Sequence, residues 1–478
     1  MTITLPSSTH ALSQRLADAF AQRDCEFFLV GGSVRDALLG APESKDLDFA
    51  TSAAPTQTEQ ALRQAGGRVF KIGEKFGTIG AVFPEVNVEV TTYRAEKYQP
   101  GSRKPAVSFR EDLTEDLARR DFTVNAIAFD PRSGEITDPF GGVQDLRGGI
   151  IRAVGSAADR FREDPLRLLR AVRFAARLGF EIEPATARAV CEAASALASI
   201  SRERVRDELD KLLLSAAPAR GIALLCDLGL AEFSLPDVPR LRGMQQETGR
   251  HKDVFSHTLQ VLDRTPPRLA LRWAGLLHDI AKPKTKRLEG DKVTFHGHDH
   301  MGERMARYIL SELHQPNEVV DRVGRLVGLH LRANAYEGGW TDSAVRRLVL
   351  DVGDDLVEDL LGLSRADVTT ARADRRSAIA QSVAELERRI RELREQEDIA
   401  RLASPLDGLE LMRQFDRGPG PWIQPIKDHL RELVIDGELT MDDKESAMQI
   451  AQRLYTELGL DTLASTHTSK QTRPAPGE

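Results

Sequence analysis

The run LVGGSVRDALLGAPESKDLDFA, residues 29–50, carries the first chemically loaded pattern: Gly31-Gly32, a helix-prone stretch, then Asp46 and Asp48 two residues apart. Side chains at i and i+2 of a strand share a face, so a strand at DLDFA would aim both carboxylates at the same divalent ions. The two glycines let backbone come close to a phosphate, Ser33 adds a hydroxyl, and a helix N-terminus follows. Glu89 in VNVEV is a candidate third carboxylate on a neighbouring strand. Three such acids would hold two Mg²⁺ ions, the arrangement of two-metal phosphoryl and nucleotidyl transfer. A lone D-x-D is ordinarily a solvated turn, so its meaning depends on what surrounds it.

A second pattern lies in REDPLRLLRAVRFAARLGF, residues 162–180. On a helix starting near Glu163, Asp164 and Arg167 are three apart and share a face. Cytosine and adenine each present an exocyclic amino donor beside a ring-nitrogen acceptor, and guanine and uracil reverse that polarity. A carboxylate beside a guanidinium can therefore choose C and A by side chains alone. Arg170, Arg173 and Arg177 continue a cationic stripe opposite Leu168, Leu169, Val172 and Ala175. Spacing alone would equally describe a solvated amphipathic face, but beside a nucleotide site the stripe suits a triphosphate or RNA. A second E-D-x-x-R, Glu115 to Arg119, precedes the run RRDFT.

Positioning these groups calls for two kinds of element. From Phe27 to Ile151 short β-prone runs recur (FFLV, RVFKI, TIGAVF, VNVEVTTY, TVNAIAF), separated by glycine turns and helical stretches, which predicts a mixed α/β head. Beyond Ile151, Leu and Ala recur at helical spacing. Eight of the eleven histidines fall between His251 and His330, which implies a separate helical domain with its own chemistry. The expected division is a head at 1–150, a helical neck at 151–240, a histidine-rich domain at 241–375, a helical tail at 376–465 and a disordered end at 466–478. A chain of 478 residues needs several cores. Its net charge of −7 excludes a uniformly basic coat, and 5% aromatic residues give no sign of a base-stacking platform. Cys25, Cys191 and Cys226 have neither metal-ligand nor paired spacing, which excludes a disulfide scaffold. With no signal-like N-terminus and no long apolar run, a cytoplasmic protein that does not span a membrane is expected.

Taken in order, the glycine pair with Val34-Arg35-Asp36 and D-L-D, RRDFTVNAIAFD (119–130), DPFGGVQDL (138–146), the 162–180 run and SRERVRDEL (201–209) resemble the class II CCA-adding enzyme and bacterial poly(A) polymerase family. That family is part of the polymerase β-like nucleotidyltransferases. The resemblance implies an α+β fold: a head of mixed sheet and helices, then an elongated all-α neck, HD domain and tail. It assigns Asp46, Asp48 and Glu89 to catalysis and to two Mg²⁺ ions. Around the nucleotide it implies Gly31, Gly32, Ser33, Arg35, Arg120, Asp121, Asn125, Asp164, Arg167, Arg170 and Arg173, with the later E-D-x-x-R copy selecting the base. The stretch RAEKYQPGSRKPAVSFRED (94–112) resembles the family's flexible loop, which implies a switch from C to A and so complete CCA synthesis. Its partners would be tRNA, CTP and ATP.

The set His257, His278-Asp279 in LLHDIAKP, His296, His298 and His300 in FHGHDHMG, His330, and Asp367 in RADVTTAR resembles the HD phosphohydrolase pattern. The resemblance implies His257, His278, Asp279 and Asp367 as metal ligands, with His298, His330 and Lys282 lining a phosphate pocket. Imidazole and carboxylate admit Mn²⁺, Ni²⁺, Mg²⁺ or Zn²⁺. The implied chemistry is phosphoester hydrolysis, for example of 2′,3′-cyclic phosphate ends. Two rivals stand beside this reading. One is a poly(A) polymerase, against which GEKFGTIGAV (73–82) lacks that branch's arginine-rich run; the other is an HD phosphohydrolase with an RNA-binding head.

Overall fold

The computed structural model describes residues 3, 7–41, 46–70, 77–84, 86–97, 106–109, 112–244, 253–290, 292–336, 339–368, 373–396 and 402–458. It divides into two compact units, 1–298 with 305–320, and 299–304 with 321–478.

The first unit opens on helix α1 (Ser7–Ala21), strand β1 (Phe27–Val30), helix α2 (Gly32–Leu38), strand β2 (Asp46–Thr51) and helix α3 (Pro55–Gln64). Strands β3 (Arg68–Phe70), β4 (Thr78–Val82), β5 (Asn87–Thr92), β6 (Arg94–Lys97) and β7 (Ala106–Phe109) follow, then helix α4 (Leu113–Ala118) and strands β8 (Ala128–Phe129) and β9 (Ile136–Thr137). Seven strands form one mixed sheet in the order β3-β4-β5-β2-β1-β8-β9, with β2 and β5 parallel and the other neighbours antiparallel. The period-two pattern decides which face is covered. In β2 Asp46 and Asp48 are exposed while Leu47 and Phe49 are buried, and β5 repeats this with Asn87 and Glu89 against Val88 and Val90. Beneath the closed face Phe20 of α1 stacks on Phe27, and Phe27 on Phe49, at centroid distances of 4.4 and 4.5 Å.

Two expectations change here. In TVNAIAF only Ala128–Phe129 is strand, and Thr123–Asn125 is a 3₁₀ turn. Asp121 causes this, because its Oδ1 accepts from both the Phe122 N–H and Asn125 Nδ2, which offers the backbone an alternative to a sheet ladder. The segment after Tyr93, expected as a loop, is at its two ends a hairpin of β6 on β7. Residues 98–105 between them lie outside the described residues.

After α5 (Gly142–Gly148) and a short parallel pair, β10 (Ile150–Ile151) with β11 (Glu181–Ile182), the unit is mainly helical: α6 (Ala157–Glu163), α7 (Leu166–Leu178), α8 (Pro184–Ala193), α9 (Arg202–Leu213), α10 (Pro218–Asp227), α11 (Ala231–Ser234), α12 (Val254–Arg264) and α13 (Leu269–Leu277), with a small antiparallel hairpin of Arg287–Glu289 on Lys292–Thr294 beyond them. The predicted helix from Glu163 is two helices. Pro165 disfavours the helical conformation for the residue before it, and Asp164 is accordingly extended, with φ −141° and ψ 100°.

The second unit is built of helices, among them Asp342–Val352, Val357–Asp367, Ala373–Gln396, Ile423–Asp436 and Lys444–Glu457. Within it Arg322 pairs with buried Asp359 at 2.7 Å, and Phe415 stacks on Tyr455 at 4.1 Å with Trp422 edge-on to both.

Candidate active site

The register of β2 on β5 sets Asp46 beside Asn87 and Asp48 beside Glu89. All three acids therefore stand on the open face of adjacent strands, where the sequence spacing placed them. Asn87 Nδ2 donates to Asp46 Oδ1 at 3.0 Å. The Asp48 side chain opens to a cleft but is walled by protein elsewhere. Burial pushes its carboxyl above the ordinary value, the Arg120 charge pulls it back, and the Asp46 charge adds to the rise. The Glu89 carboxyl is pushed up by burial and then by Asp48 and Asp46. Acids gathered on one face, each an oxygen donor, fit a hard divalent cation.

Gly31 ends β1 with φ +71°, a conformation that favours glycine. A Cβ there would meet Arg120 Nη1 at 2.7 Å. The glycine thus admits an arginine as well as backbone approach. Ser33 Oγ accepts from the Asp48 N–H at 3.4 Å, which ties the glycine turn to the acidic strand.

Of these groups Gly31, Gly32, Asp48 and Arg120 line a cleft of about 620 Å³, with Asn125, Phe174 and a dense set of charges; Asp46, Glu89 and Ser33 stand beside it rather than in its wall. Eight arginines (35, 119, 120, 167, 170, 173, 177 and 204) face three aspartates (48, 121 and 164), so the lining is positive although the chain is negative. Such a surface suits a polyphosphate. Most of the arginines are each held by a carboxylate. Arg170 meets Asp121 at 2.5 Å, Arg173 meets buried Glu208 at 2.6 Å, and Arg177 meets Asp36 at 3.1 Å. The stripe on α7 is therefore a set of cross-element pairs rather than a solvated face. Arg35 donates to Asn125 Oδ1 at 2.5 Å and Asn125 to Asp121, so one chain of bonds links α2, the RRDFT segment and α7. Burial would raise the Asp121 carboxyl, but the Arg170 charge and hydrogen bonds from Asn125 and Arg170 outweigh it and hold it low. Burial lowers the Arg120 guanidinium, and among the described residues its buried Nε finds no acceptor.

Asp164 and Arg167 line this same cleft. They do not share a helical face as the spacing suggested, because Asp164 sits in the break before α7. Its Oδ1 accepts from the Leu166 N–H at 3.1 Å and its Oδ2 from Arg204 at 2.8 Å. Arg167 donates to Glu163, Arg160 O and Arg119 O, which occupies three of its five donors. In the earlier E-D-x-x-R copy, Arg119 and buried Asp116 pair with each other at 2.7 Å, so that copy closes on itself.

The histidine cluster is built from α12 and α13. His257 lies on the buried side of α12, and His278-Asp279 directly follow α13. The Nε2 atoms of His257 and His278 face each other at 3.1 Å, and Asp279 Oδ2 is 3.4 and 3.2 Å from them. His278 Nδ1–H donates to Gly275 O at 3.0 Å, which fixes the ring with Nε2 facing inward, the usual outer support of a metal ligand. Burial would raise the Asp279 carboxyl, but His278 and Lys282 with hydrogen bonds from His257 and His278 hold it well below the ordinary value. Lys282 Nζ donates to it at 2.7 Å, and His298 Nε2 lies 3.6 Å from its Oδ1. Two imidazoles and a carboxylate so arranged fit a borderline divalent ion. His330 and Asp367 belong to the second unit, where His330 Nδ1–H donates to Val327 O at 2.6 Å.

Sequence reasoning gave no role to Glu208, Arg204 or Phe174. The first two stand four apart in the motif SRERVRDEL, on one face of α9, and that spacing was the available signal. Phe174 sits among buried apolar positions of α7 and carries no signal of its own.

A mixed sheet with open-face acids over an arginine-lined cleft defines a site for handling a nucleoside polyphosphate. Family models match in order: "Poly A polymerase head domain" at residues 27–152, "Probable RNA and SrmB- binding site of polymerase A" at 179–241, and "HD domain" at 254–379. The A-adding tRNA nucleotidyltransferase of Deinococcus radiodurans is 36% identical over 429 residues, covering 86% of this chain and 92% of that one. The CCA-adding enzyme of Geobacillus stearothermophilus is 33% identical over 442 residues, covering 91% and 95%. The crystal structure of the Bacillus stearothermophilus CCA-adding enzyme in complex with CTP matches with a TM-score of 0.71 at 28% identity, over 95% of this chain and all of that one. The chain belongs to the tRNA nucleotidyltransferase and poly(A) polymerase family, in the form that carries an HD domain.

Proposed function

We propose that the chain adds C, C and A to the 3′ end of tRNA from CTP and ATP without a nucleic-acid template. The observation that carries this is one cleft holding both the carboxylate Asp48 and the pair Asp164 and Arg167. Two Mg²⁺ ions held by Asp46, Asp48 and Glu89 would supply activation of the ribose 3′-hydroxyl and neutralisation of the pyrophosphate. The chain's own groups do the rest. Arg35, Arg120, Arg170 and Arg173 take the triphosphate, with Gly31, Gly32 and Ser33 at its edge, while Asn125 holds Arg35 and Arg120, Asp121 holds Arg170, Glu208 holds Arg173, and Asp121 and Asn125 reach the ribose. Asp164 accepts from the exocyclic amino group of cytosine or adenine, and the donors left on Arg167 serve the ring nitrogen. A tRNA lacking its 3′ end, incubated with labelled CTP and ATP separately and together, tests the reading. Stepwise addition that stops after CCA is expected, and long A tails or no incorporation overturn it.

The Deinococcus relative favours a second reading, addition of the terminal A alone. Failure to incorporate CTP, with one A added to tRNA already ending in CC, would select it.

In the HD domain, His257, His278, Asp279 and Asp367 are proposed to hold a divalent ion and His298, His330 and Lys282 a phosphate, for hydrolysis of blocked 2′,3′-cyclic ends. Loss of phosphodiesterase activity and of bound metal in His278→Ala, with incorporation intact, is expected; unchanged hydrolysis removes this part. The division into head, neck, HD domain and tail, with tRNA held by the tail, belongs to the same proposal. Among the described residues no helix is long and apolar enough to cross a membrane, in keeping with a proposed cytoplasmic site of action.

A further inference from the structure

Phe174 has no part in the chemistry above, yet its side chain forms part of the cleft wall. The residue is 4% exposed, and its closest charged neighbours are unusual for a core phenylalanine. Three guanidiniums from two elements stand over the ring: Arg173 of α7 at 4.2 Å from the centroid, Arg35 of α2 at 5.2 Å and Arg170 of α7 at 5.3 Å. Phe122 of the RRDFT segment meets the ring edge-on at 5.9 Å and 79°, which fixes its plane. The three arginines draw on three different acids, Asp36, Asp121 and Glu208. Asp121 pairs with Arg170 and acts by its charge on Arg35 and Arg173 as well, but the ring is the surface on which all three guanidiniums converge.

Converging cations repel one another before an anion arrives. An aromatic face attracts cations within about 6 Å of its centroid, most strongly where water is excluded. A leucine of similar bulk would fill the space and offer no such attraction. We propose that Phe174 is a positioning residue for the triphosphate of the incoming nucleotide, its ring gathering Arg35, Arg170 and Arg173 into one preformed receptor. This rests on the reading that the cleft takes CTP or ATP.

The test replaces Phe174 in the full chain with mono-, di- and trifluorinated phenylalanine, which keeps the ring's shape and drains its face. KM for CTP and ATP should rise step by step to about tenfold at the trifluoro ring, with kcat, base choice and melting temperature nearly constant. Phe174→Tyr should stay within about twofold of the parent, and Phe174→Leu should match the trifluoro ring. Inorganic tripolyphosphate, titrated calorimetrically, should lose affinity along the same series. A flat series in a protein that incorporates nucleotides overturns the inference alone, as does a series in which kcat and melting temperature fall as KM rises. A parent protein that incorporates nothing, yet loses tripolyphosphate affinity along the series, overturns the nucleotidyl-transfer reading and keeps the receptor.

Discussion

Asp48, on the open face of β2 toward the cleft, and Asp279, buried in the histidine cluster, are both carboxylates that desolvation pushes upward, and they are treated oppositely. Around Asp48 burial and Asp46 outweigh the pull of Arg120, and its carboxyl rises. Around Asp279 burial is overcome by His278 and Lys282, and its carboxyl falls well below the ordinary range. The cleft spends its cations on one another's acids: Arg170 on Asp121, Arg173 on Glu208, Arg167 on Glu163. Its arginines are thereby held ready for an anion, and the carboxylates of β2 and β5 stay short of positive charge, as acids awaiting a metal do. The histidine cluster instead turns two imidazole Nε2 atoms and a carboxylate toward one point. On the proposed reading, one region receives a polyphosphate and its cations together, the other a divalent cation with a phosphate beside it.

The largest test of that contrast is Asp48→Ala. Nucleotide incorporation should fall roughly a thousand-fold or more in single-turnover assays, the scale of losing a principal electrostatic group, while HD-dependent hydrolysis stays level. Loss of both activities would mean that the two sites are not separate. Next comes Asp121, the acid at the centre of the arginine lattice. Asp121 is buried but its partner Arg170 is one-third exposed, so Asp121→Ala should cost less than the about 3–5 kcal/mol of a fully buried pair and still unfold at lower denaturant. The pH dependence has a definite sign. A carboxyl held low when folded contributes stability above its unfolded value of about 3.9, and that contribution is lost as pH falls through the folded value. The parent's melting temperature should therefore drop faster than that of Asp121→Asn in the acid range below about pH 4.

Smaller in expected effect is Arg167→Ala, which should narrow discrimination of CTP and ATP against UTP and GTP by about ten- to a hundredfold, read as ratios of kcat/KM. Unchanged ratios would move base choice elsewhere in the cleft.

The legible parts of the molecule were those governed by short-range periodicity. Alternation in DLDFA and VNVEV places three acids on one face whatever else the chain does, and His278-Asp279 at the end of an apolar helix follows from helical spacing. What spacing could not reach was pairing at long range. Arg173 with Glu208 is 35 residues apart, and Arg177 with Asp36 is 141, so the α7 stripe read equally well as a solvated face. Local chemistry also misled where one residue overrode the pattern. Pro165 splits the helix expected to carry Asp164 and Arg167 together, and the two converge through tertiary packing instead. The Asp121 carboxylate likewise turns Thr123–Asn125 away from the expected strand.

Gly31 offers the finest division between the two roles a glycine can have here. Its φ of +71° alone makes Gly31→Ala cost about 1–2 kcal/mol, visible as a lowered melting temperature. The new Cβ would also press on Arg120 Nη1, at 2.7 Å, so KM for CTP should rise as the guanidinium is displaced. If the methyl acts only through that arginine, the double variant Gly31→Ala with Arg120→Ala should have the same KM as Arg120→Ala alone, since the two substitutions then share one target. If the glycine serves chiefly to let backbone approach the phosphates, the two effects on KM should multiply. The cycle thus separates a cleft that grips its anion through side chains packed on a glycine from one that grips it through the glycine turn itself.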